Sequence, residues 1–382
     1  MQSDETGTTE DTQKRHVAVL SIHALYDTRI TNHIRTLAAA GHRVTYINMS
    51  CIGKLTDPDI IDSINLIRRE QSPVVGINPL SLRRLHQWFF DQARQTNADL
   101  FHIHDPLLLP LIPKLCALQR PVVFDAHEHY TRFPGLLGTV YRWWYRTKLP
   151  SASAVVGVSD STVPAIDAPS IVVPNYQSSR DFDAATNQGV NETIRVTYFG
   201  DLHTENRDVA GMIDIAKHVL ASRDDVSFSI GGKLGGPEYD RLLAMFNELH
   251  ERHGDRFRWL GIMERQQVVD ETANADIGML LLSPMCMNIE GASPNKVFEY
   301  LACGAAMLCT DCFVIADRIR DRAGVLFPVG VDAKTVANTI IELAADRIQL
   351  AEMKAASAEI GQDYKWESVA PRYLELYERV LG

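Results

Sequence analysis

The chain lacks the features that mark membrane, secreted and nucleic-acid-binding proteins. No run approaches about eighteen consecutive apolar residues, so no membrane-spanning helix is expected. Cysteine is scarce, with 6 in 382 residues, and scattered thiols fit a reducing cytoplasm better than a disulfide scaffold. Lys and Arg total 38 against 48 Asp and Glu, and the net charge of −10 argues against nucleic acid as the main partner.

Short repeats, low-complexity tracts and coiled-coil heptads are also missing. Residues 1–15 are polar and acidic-leaning, unlike a signal peptide, and are expected to form a disordered tail. Cys309-Thr-Asp-Cys312 has the spacing of a redox or zinc pair, but the sequence holds no second pair of this kind. Cys309 also ends an apolar run, which favours ordinary half-buried thiols.

What the sequence does contain is a regular alternation of apolar strand-like runs and helical stretches. The length favours two domains, and the alternation predicts βαβ units around parallel sheets. The first series runs from Val17 to Val173 and the second from Ile194 to Phe327. We therefore predict an α/β fold of two doubly wound, Rossmann-like domains, with ligands at a cleft facing the carboxyl edges of both sheets.

The predicted domain bounds follow the irregular polar stretch between the two series. The first domain is expected at 16–180, a linker at 181–193 and the second domain at 194–364. A final helix is predicted from about Trp366 to Leu381, within a last segment of 365–382.

The segment 290–304, Glu-Gly-Ala-Ser-Pro-Asn-Lys-Val-Phe-Glu-Tyr-Leu-Ala-Cys-Gly, predicts a short helix with an anion-binding start. Ser293 is a strong N-cap, Pro294 suits the first helical position, and Gly304 ends the helix. Free N–H groups and a positive dipole end at such a start bind phosphate. Gly291 and Ala292 keep the preceding loop slim, and Lys296 adds a positive charge. Glu299 lies one turn along, roughly under Asn295, where its carboxylate could bind a sugar's hydroxyl pair. A capped, half-buried helix with a surface Lys and Glu is the equally weighted alternative.

This segment closely resembles the donor-site helix of retaining glycosyltransferases of family 4, which have the GT-B fold. Further segments resemble the family in the same order along the chain: 27–47, Phe101-His-Ile-His-Asp105, Phe124-Asp-Ala-His-Glu128, Val156-Gly-Val-Ser-Asp160 and Val173-Pro-Asn-Tyr176. The resemblance spans most of residues 16–382 and is specific for the family but not for a substrate. It implies a nucleotide-sugar donor, with a UDP-sugar as the expected one, and a final segment that crosses back onto the first domain.

The resemblance also implies the donor-binding residues, with two departures. The family's sugar-binding glutamate, eight positions before the ribose-binding Glu299, falls on Gly291, and Glu290 lies one residue off. Either Glu290 serves through a shifted loop, or main-chain groups at 291–293 contact the sugar. This departure puts the identity of the donor sugar in doubt.

The second departure concerns the phosphate cations. Asp201 stands where the family commonly has Arg or Lys, so Arg207 becomes the expected phosphate ligand, with help from Lys233 in Gly231-Gly-Lys-Leu-Gly235. A solvated arginine near a helix start is the alternative for Arg207. No Asp-X-Asp pair of the metal-dependent kind was found near the donor residues, so neither a metal nor another cofactor is expected.

The first domain supplies the catalytic candidates Asp105, His127 and Glu128, just past expected strand ends. By resemblance, His127 contacts the donor sugar. His102 and His104 share one strand face, and His127 and His129 would share another if their strand continues that far; four histidines suggest a metal site, but no further His and carboxylate segment completes one. The resemblance implies a front-face mechanism in which the leaving phosphate takes the acceptor's proton.

The sequence thus predicts a cytoplasmic, metal-independent, retaining glycosyltransferase acting on a glycan or lipid-linked acceptor. Aromatic and cationic residues mix in 82–90 and in Tyr141-Arg-Trp-Trp-Tyr-Arg-Thr-Lys148, which suits peripheral contact with an anionic membrane; core packing with snorkelling cations is the alternative. A sugar-nucleotide epimerase and a degenerate nucleotide-sugar binder remain alternative functions.

Overall fold

The computed structural model describes residues 14–51, 53–71, 78–182, 189–286 and 294–382. The chain divides into two compact units. The first unit holds residues up to 157, 163–171 and 371–382, and the second holds 158–162 and 172–370.

The first unit is built on a seven-stranded sheet with the order β3-β2-β1-β4-β5-β6-β7. The inner strands are fully buried, as expected of a parallel sheet covered on both faces. Its strands are β1 His16–Ser21, β2 Arg43–Met49, β3 Ile64–Arg69, β4 Leu100–Ile103, β5 Val122–Ala126, β6 Ala154–Gly157 and β7 Ser170–Val172. β1 pairs in parallel with both β2 and β4, so the strand order reverses between β1 and β4.

Helices of the first unit begin at residues that the sequence marks as caps. The Asp27 side chain accepts a bond from Ile30 N, and Asn78 caps a helix whose first residue is Pro79. The helices are α1 Thr28–Ala39, α2 Pro58–Ser63, α3 Pro79–Thr96, α4 Ile112–Cys116 and α5 Gly135–Thr147. The apolar faces of α3 and α5 pack into one core through Leu85, Phe89 and Trp144.

The second unit is built on a six-stranded parallel sheet with the order β10-β9-β8-β11-β12-β13. Here the strand order reverses between β8 and β11. The strands are β8 Ile194–His203, β9 Val226–Gly235, β10 Phe257–Trp259, β11 Ile277–Leu280, β12 Ala306–Thr310 and β13 Gly324–Phe327. The two reversals place ligand-binding crevices at the carboxyl ends of β1 and β4 and of β8 and β11.

The helices that follow are α6 Ser179–Phe182, α7 Val209–Ser222, α8 Tyr239–His253, α9 Arg265–Ala273, α10 Asn295–Cys303, α11 Ala316–Ile319, α12 Ala333–Ala345, α13 Arg347–Gly361 and α14 Pro371–Leu381. Asp208 and Asp332 cap α7 and α12 by accepting bonds from Gly211 N and Thr335 N. Among the described residues, no helix combines the length and apolar character that a bilayer crossing requires.

The α/β fold of two doubly wound units is confirmed, and the predicted strand positions are occupied by strands. The final helix, however, begins at Pro371 rather than near Trp366, because a separate 3-10 turn covers Trp366–Ser368. Residues 371–382 belong to the first unit.

The described residues at the start of the irregular polar stretch 177–191, which includes most of the predicted linker, are folded. Gln177 is buried and bridges to Lys365, and Phe182 packs against Cys303 and Val269. Contacts assign residues 172–180 to the second unit, although the sequence placed them in the first domain. Of the predicted tail, residues 1–13 lie outside the described residues, whereas Arg15 N donates to His42 Nδ1.

Two segments that mix aromatics with cations fold as helices, and each hides part of its aromatic content. Leu82, Leu85 and Phe89 of α3 are buried. In α5, Trp144 is buried, but Trp143 remains 56% exposed, with Lys148 over its ring. The prediction that Trp143 and Trp144 both face a membrane is therefore wrong for Trp144, which is a core residue.

Candidate active site

The predicted donor-site helix is α10, at the carboxyl edge of the second sheet. It begins at Asn295, one residue later than expected, and Pro294 occupies the N-cap position with an extended backbone. Gly304 ends the helix in the left-handed region, with φ of 67°. The candidates Glu290, Gly291, Ala292 and Ser293 lie outside the described residues.

Two cations hold the carboxylate of Glu299 inside the second unit. Glu299 is 2% exposed; Arg265 Nη1 lies 2.7 Å from its Oε1, and Lys296 Nζ donates to its Oε2. Burial alone would raise the pKa of Glu299, but the charges of Lys296 and Arg265 outweigh burial and keep the pKa below its ordinary value. The candidate ribose ligand is therefore an ionised carboxylate with a fixed direction, rather than the surface group of the alternative interpretation.

Arg265 itself is oriented by two side chains of the irregular polar stretch that begins at Gln177. Its Nη2 donates to Gln177 Oε1 at 3.1 Å and lies 3.6 Å from a carboxylate oxygen of Asp181. Arg265 is the first residue of α9, so the ion pair with Glu299 joins α9 to α10. Removing one partner of a buried pair leaves the other charge uncompensated, which typically costs about 3–5 kcal/mol.

Arg207 and Lys296 both connect to the end of β8. Arg207 Nε donates to the Tyr198 hydroxyl at 2.9 Å, and that hydroxyl donates to Asp201 O. Gly200 lies beside Lys296 and this hydroxyl, because a Cβ there would meet Lys296 Cε and Tyr198 Oη at 3.2 Å each. Lys296 thus lies next to the Gly200 backbone, which a ligand can approach closely, and Arg207 is held beside it through Tyr198.

Lys233 extends the same edge along β9. It pairs in register with Asp201, and its side chain is exposed. The glycine before it is required, because Gly232 has φ of 141° and a Cβ there would lie 1.7 Å from Gly200 O. Asp201, which replaces the family's usual cation, accepts from Asn206 Nδ2 at 3.1 Å.

In the first unit, Asp125 at the end of β5 joins four elements. Arg29 of α1 donates to it from Nε and Nη2 at 2.8–3.1 Å, and the Tyr373 hydroxyl of α14 donates at 2.6 Å. His102 and His104, from β4 and its end, face the same carboxylate at 3.7 and 3.5 Å. Burial opposes ionisation of Asp125, but Arg29 outweighs it and holds the pKa well below its ordinary value.

His127 follows β5 and lies at the edge of this buried cluster. Its side chain is 11% exposed, its Nε2 lies 3.0 Å from His104 Nδ1, and its ring stacks on His23 at 4.7 Å. Burial, with a smaller effect of His23, lowers the pKa of His127 to about 3. His127 is therefore neutral at physiological pH and can exchange hydrogen bonds without carrying charge.

The other first-unit candidates differ in exposure. Asp105 is buried, caps the turn after β4 by accepting from Leu107 N, and lies 3.4 Å from His23 Nε2. Burial raises the pKa of Asp105. Glu128 is exposed beside His127. β5 ends at Ala126, so His127 and His129 do not share a strand face as the sequence allowed.

The comparisons with known proteins agree with this architecture. Residues 27–168 match the family described as Glycosyltransferase Family 4, and residues 193–346 match Glycosyl transferases group 1. Sucrose-phosphate synthase from Thermosynechococcus elongatus is similar in fold, with a TM-score of 0.70 at 16% identity over 96% of this chain and 99% of that one. This chain is a glycosyltransferase of the GT-B fold.

Two more solved structures resemble this glycosyltransferase. A glycosyltransferase from Rickettsia africae ESF-5 has a TM-score of 0.69 at 14% identity, with 97% of this chain and 99% of that chain covered. Anabaena Alr3699/HepE, solved with UDP and glucose, has a TM-score of 0.66 at 13% identity, with 96% and 100% covered. No curated protein matches the chain in sequence.

Three groupings in the first unit are compact enough to suggest a metal: His33 with His102 and His104, Asp125 with His104 and His127, and Asp27 with His23 and His127. Their donor atoms are engaged otherwise. In the first two groupings the rings bond to one another or to Tyr377, and Asp125 is bound by the Arg29 guanidinium. In the third, Asp27 accepts from Ile30 N, and His23 Nε2 lies 3.0 Å from His104 O. A cation this close to Asp125 opposes a second positive charge, so a hydrogen-bonded cluster fits these residues better than a metal site.

The prediction that no Asp-X-Asp pair lies near the donor residues is wrong. Asp181-Phe-Asp183 has this spacing, and Asp181 lies 3.6 Å from Arg265. The positive charge of Arg265 compensates the negative charge of Asp181, and Asp183 lies outside the described residues. Cys309 and Cys312 are free thiols, buried and half-buried, as expected.

Sequence reasoning missed most of the side chains that hold the candidates in place. These are His23, Arg29, His33, Tyr198, Arg265, Tyr373 and Tyr377. Tyr373 and Tyr377 lie four residues apart on the last helix, but nothing in the local sequence shows what they contact. Arg29 and Arg265 lie at helix starts, where an arginine is ordinarily solvated.

Proposed function

We propose that the protein is a retaining glycosyltransferase of family 4 that moves a sugar from a UDP-sugar to a hydroxyl of a glycan or lipid-linked acceptor, without a metal. The observation that carries the proposal is the charge arrangement at the carboxyl edge of the second sheet. Lys296 lies beside the backbone of Gly200, Arg207 bonds the Tyr198 hydroxyl next to the same glycine, and Glu299 lies one helical turn behind Lys296.

The nature of the donor is supported by related structures. Anabaena Alr3699/HepE has been solved with UDP-glucose. A structure titled trehalose-6-phosphate from E. coli, bound with UDP-2-fluoro glucose, has a TM-score of 0.67 at 9% identity. Glu299 would accept bonds from the ribose hydroxyls, while Arg207, Lys296 and the start of α10 would neutralise the diphosphate, with help from Lys233. Such preorganised charge is usually the largest contribution to catalysis.

In the proposed reaction, the bond between the anomeric carbon and the diphosphate oxygen breaks on the face that the acceptor approaches. The acceptor hydroxyl forms the new glycosidic bond, and its proton passes to the departing phosphate. His127 would contact the sugar, and Asp105 and Glu128 would position the acceptor. The cations on the second unit meet the diphosphate charge that a metal meets in other transferases.

The decisive experiment incubates the full chain with a panel of nucleoside diphosphate sugars, with and without glycan and lipid-linked acceptors, while following nucleotide release. Acceptor-dependent release, with retention of the anomeric configuration in the product, supports transfer. Donor turnover without any acceptor and without nucleotide release identifies an epimerase. Binding with no turnover identifies a nucleotide-sugar-binding protein.

Metal independence is tested in the same assay. Transfer is expected to survive EDTA, since protein cations are available to neutralise the diphosphate. Activity that EDTA abolishes and manganese restores contradicts this part of the proposal and directs attention to Asp181.

Localisation to the cytoplasm, with peripheral association at the inner face of the membrane, is also proposed. It is supported by the exposed Trp143 beside Lys148 on α5.

A further inference from the structure

Three buried imidazoles, one buried phenol and the partly exposed ring of His127 lie in an unbroken line of hydrogen bonds in the first unit. The line runs through His127, His104, His33, Tyr377 and His102, and is called the imidazole relay below. The joining distances are 3.0 Å from His127 Nε2 to His104 Nδ1 and 3.1 Å from His104 Nε2 to His33 Nδ1. They continue at 2.8 Å from His33 Nε2 to the Tyr377 hydroxyl and 2.6 Å from that hydroxyl to His102 Nδ1.

Each ring of the relay is restricted to one donor and one acceptor. Burial lowers the pKa of all four histidines, so the rings are neutral, and a neutral imidazole has one N–H and one lone pair. A hydrogen on one ring therefore dictates where the hydrogen lies on the next. Two arrangements use the Tyr377 hydrogen within the relay, and they differ in direction along its whole length. In a third, the Tyr377 hydroxyl accepts from both His33 and His102, which takes its own hydrogen out of the relay and turns the lone pair of His102 Nε2 toward Asp125; His127 is then the same tautomer as in the direction favoured below.

The carboxylate of Asp125 distinguishes the two directions. His102 Nε2 is buried without a hydrogen-bond partner, and its nearest acceptor is Asp125 Oδ2 at 3.7 Å. A hydrogen on this atom points at the carboxylate and is attracted, whereas a lone pair would be repelled. With Nε2 protonated, His102 Nδ1 accepts from Tyr377, and Tyr377 accepts from His33 Nε2.

The same direction continues to the surface end. His33 Nδ1 accepts from His104 Nε2, and His104 Nδ1 accepts from His127 Nε2. His127 Nε2, which carries the hydrogen in this direction, lies 4.0 Å from Asp125 Oδ1, a second attraction, while the bare His104 Nδ1, 3.5 Å from Asp125 Oδ2, makes the one unfavourable contact. The reverse direction has two repulsions and one attraction, so the first is favoured.

We propose that the imidazole relay holds His127 as the Nε2–H tautomer, so that His127 presents a bare Nδ1 that can only accept a hydrogen bond. His127 is the exposed end of the relay, at 11% against 0% for His102 and His104. The group that it recognises is consequently a hydroxyl or another donor, and not a carbonyl or phosphate oxygen. Tyr377, His33 and His104 act as positioning residues, because they set the chemistry of His127 from inside the unit.

The Tyr377 hydroxyl is the link through which His102 controls the other rings. In Tyr377→Phe, His127, His104 and His33 are released from His102, and the remaining contacts favour the opposite direction. A hydrogen on His104 Nδ1 then points at Asp125 at 3.5 Å, a shorter contact than the 4.0 Å of His127. After the reversal, His33 Nε2 is a lone pair without a hydrogen-bond donor. Without the reversal it would be an N–H without an acceptor, which costs more when buried.

The matched control is Tyr373→Phe, one turn earlier on the same face of α14. It also removes a buried hydroxyl, and that hydroxyl bonds Asp125 rather than a histidine. The tautomer of His127 is expected to stay Nε2–H in Tyr373→Phe and to change to Nδ1–H in Tyr377→Phe.

The experiment is a long-range 1H–15N correlation spectrum of the uniformly 15N-labelled full chain at neutral pH, which separates protonated from bare ring nitrogens. His127→Gln assigns the resonances of His127. The wild type is expected to show Nε2–H for all four rings. A wild-type His127 carrying its hydrogen on Nδ1, or on both nitrogens, overturns the proposal even if neither phenylalanine variant folds, as does an unchanged tautomer in a folded Tyr377→Phe.

The effect on transfer rests on the proposed function, whereas the tautomer does not. If His127 accepts a sugar hydroxyl, Tyr377→Phe should lower kcat on the order of ten-fold or more, with UDP affinity retained. A switched tautomer in a chain without transferase activity would support the relay and contradict the proposed function.

Discussion

At the residue scale, the candidate site depends on how its charges are paired. Arg265, 34 positions away, and Lys296, one turn away on α10, keep Glu299 ionised while it is buried, which is what a ligand role requires. Its two cations also fix the direction of its lone pairs. The same arrangement makes Glu299 a structural residue, so its replacement must be chosen to separate the two roles.

Glu299→Gln retains the shape of the side chain and removes its charge. We expect UDP affinity to fall by about 1.5–3 kcal/mol, because hydrogen bonds from the ribose to a charged acceptor are lost. Calorimetry measures the affinity, and thermal unfolding verifies the fold. Glu271→Gln is the control, because Glu271 is also on the second unit, on α9, and pairs with an arginine, Arg258 of β10. Equal UDP affinity in both variants would remove Glu299 from the donor site.

His127→Ala should affect turnover more than donor affinity. The donor is assigned to the second unit, and an interaction that tightens only in the transition state lowers kcat when it is removed. We expect a loss on the order of 100-fold in kcat with UDP affinity near that of the parent. His129→Ala, two residues further and outside the relay, should behave as the parent. A near-parental kcat for His127→Ala would make this histidine structural.

At the element scale, α5 presents one face to the core and another outward. Tyr141 and Trp144 are buried, whereas Leu136 is 71% and Trp143 56% exposed. Arg142 is committed inward, since its Nη1 donates to the carbonyls of Thr131 and Phe133. The cations left for a membrane surface on this helix are Arg146 and Lys148.

We predict that this outward face binds anionic vesicles reversibly. Attraction of about 1 kcal/mol per nearby cation is screened by salt, so pelleting with anionic liposomes should decrease along a salt series. Trp143→Ala should reduce it further, while Ile348→Ala, an exposed apolar residue of α13 in the second unit, should not. Equal and negligible pelleting with neutral and anionic vesicles would leave α5 without a membrane role.

At the scale of the whole molecule, the buried histidines should make the first unit acid-sensitive. His33, His102, His104 and His127 have pKa values below the ordinary 6.5, whereas the unfolded chain titrates near it. Below about pH 6.5 the unfolded state therefore binds more protons, and the free energy of unfolding falls as pH falls. His23, with a raised pKa, opposes this with one proton.

The expected slope is about 1.4 kcal/mol per pH unit for each excess proton bound by the unfolded state. Urea unfolding at pH 7.5, 6.5, 5.5 and 4.5 (conditions of about one pH unit spacing) measures it. Asp125, whose pKa is depressed, adds a further loss only below about pH 4. A free energy of unfolding that stays constant from pH 7 to 5 would contradict the neutral state of the four rings.

The sequence by itself determined the two series of strands and the α10 helix to within one residue at its start, because these follow from local patterns. An apolar run makes a buried strand, Asp208 caps whatever helix follows it, and Gly304 ends one in the left-handed region. The two predicted phosphate cations also lie at one edge of a sheet, since both follow strand ends there, and both connect to the end of β8.

Only the tertiary structure decided which partners surround these groups. Arg29 meets Asp125 across 96 positions, Arg265 meets Glu299 across 34, and His33 meets Tyr377 across 344. No local pattern encodes such pairs, because the sequence around a buried charged or aromatic residue can be the same as around an exposed one. Whether it is stabilised or expelled depends on the dielectric environment and on the partner that folding brings to it.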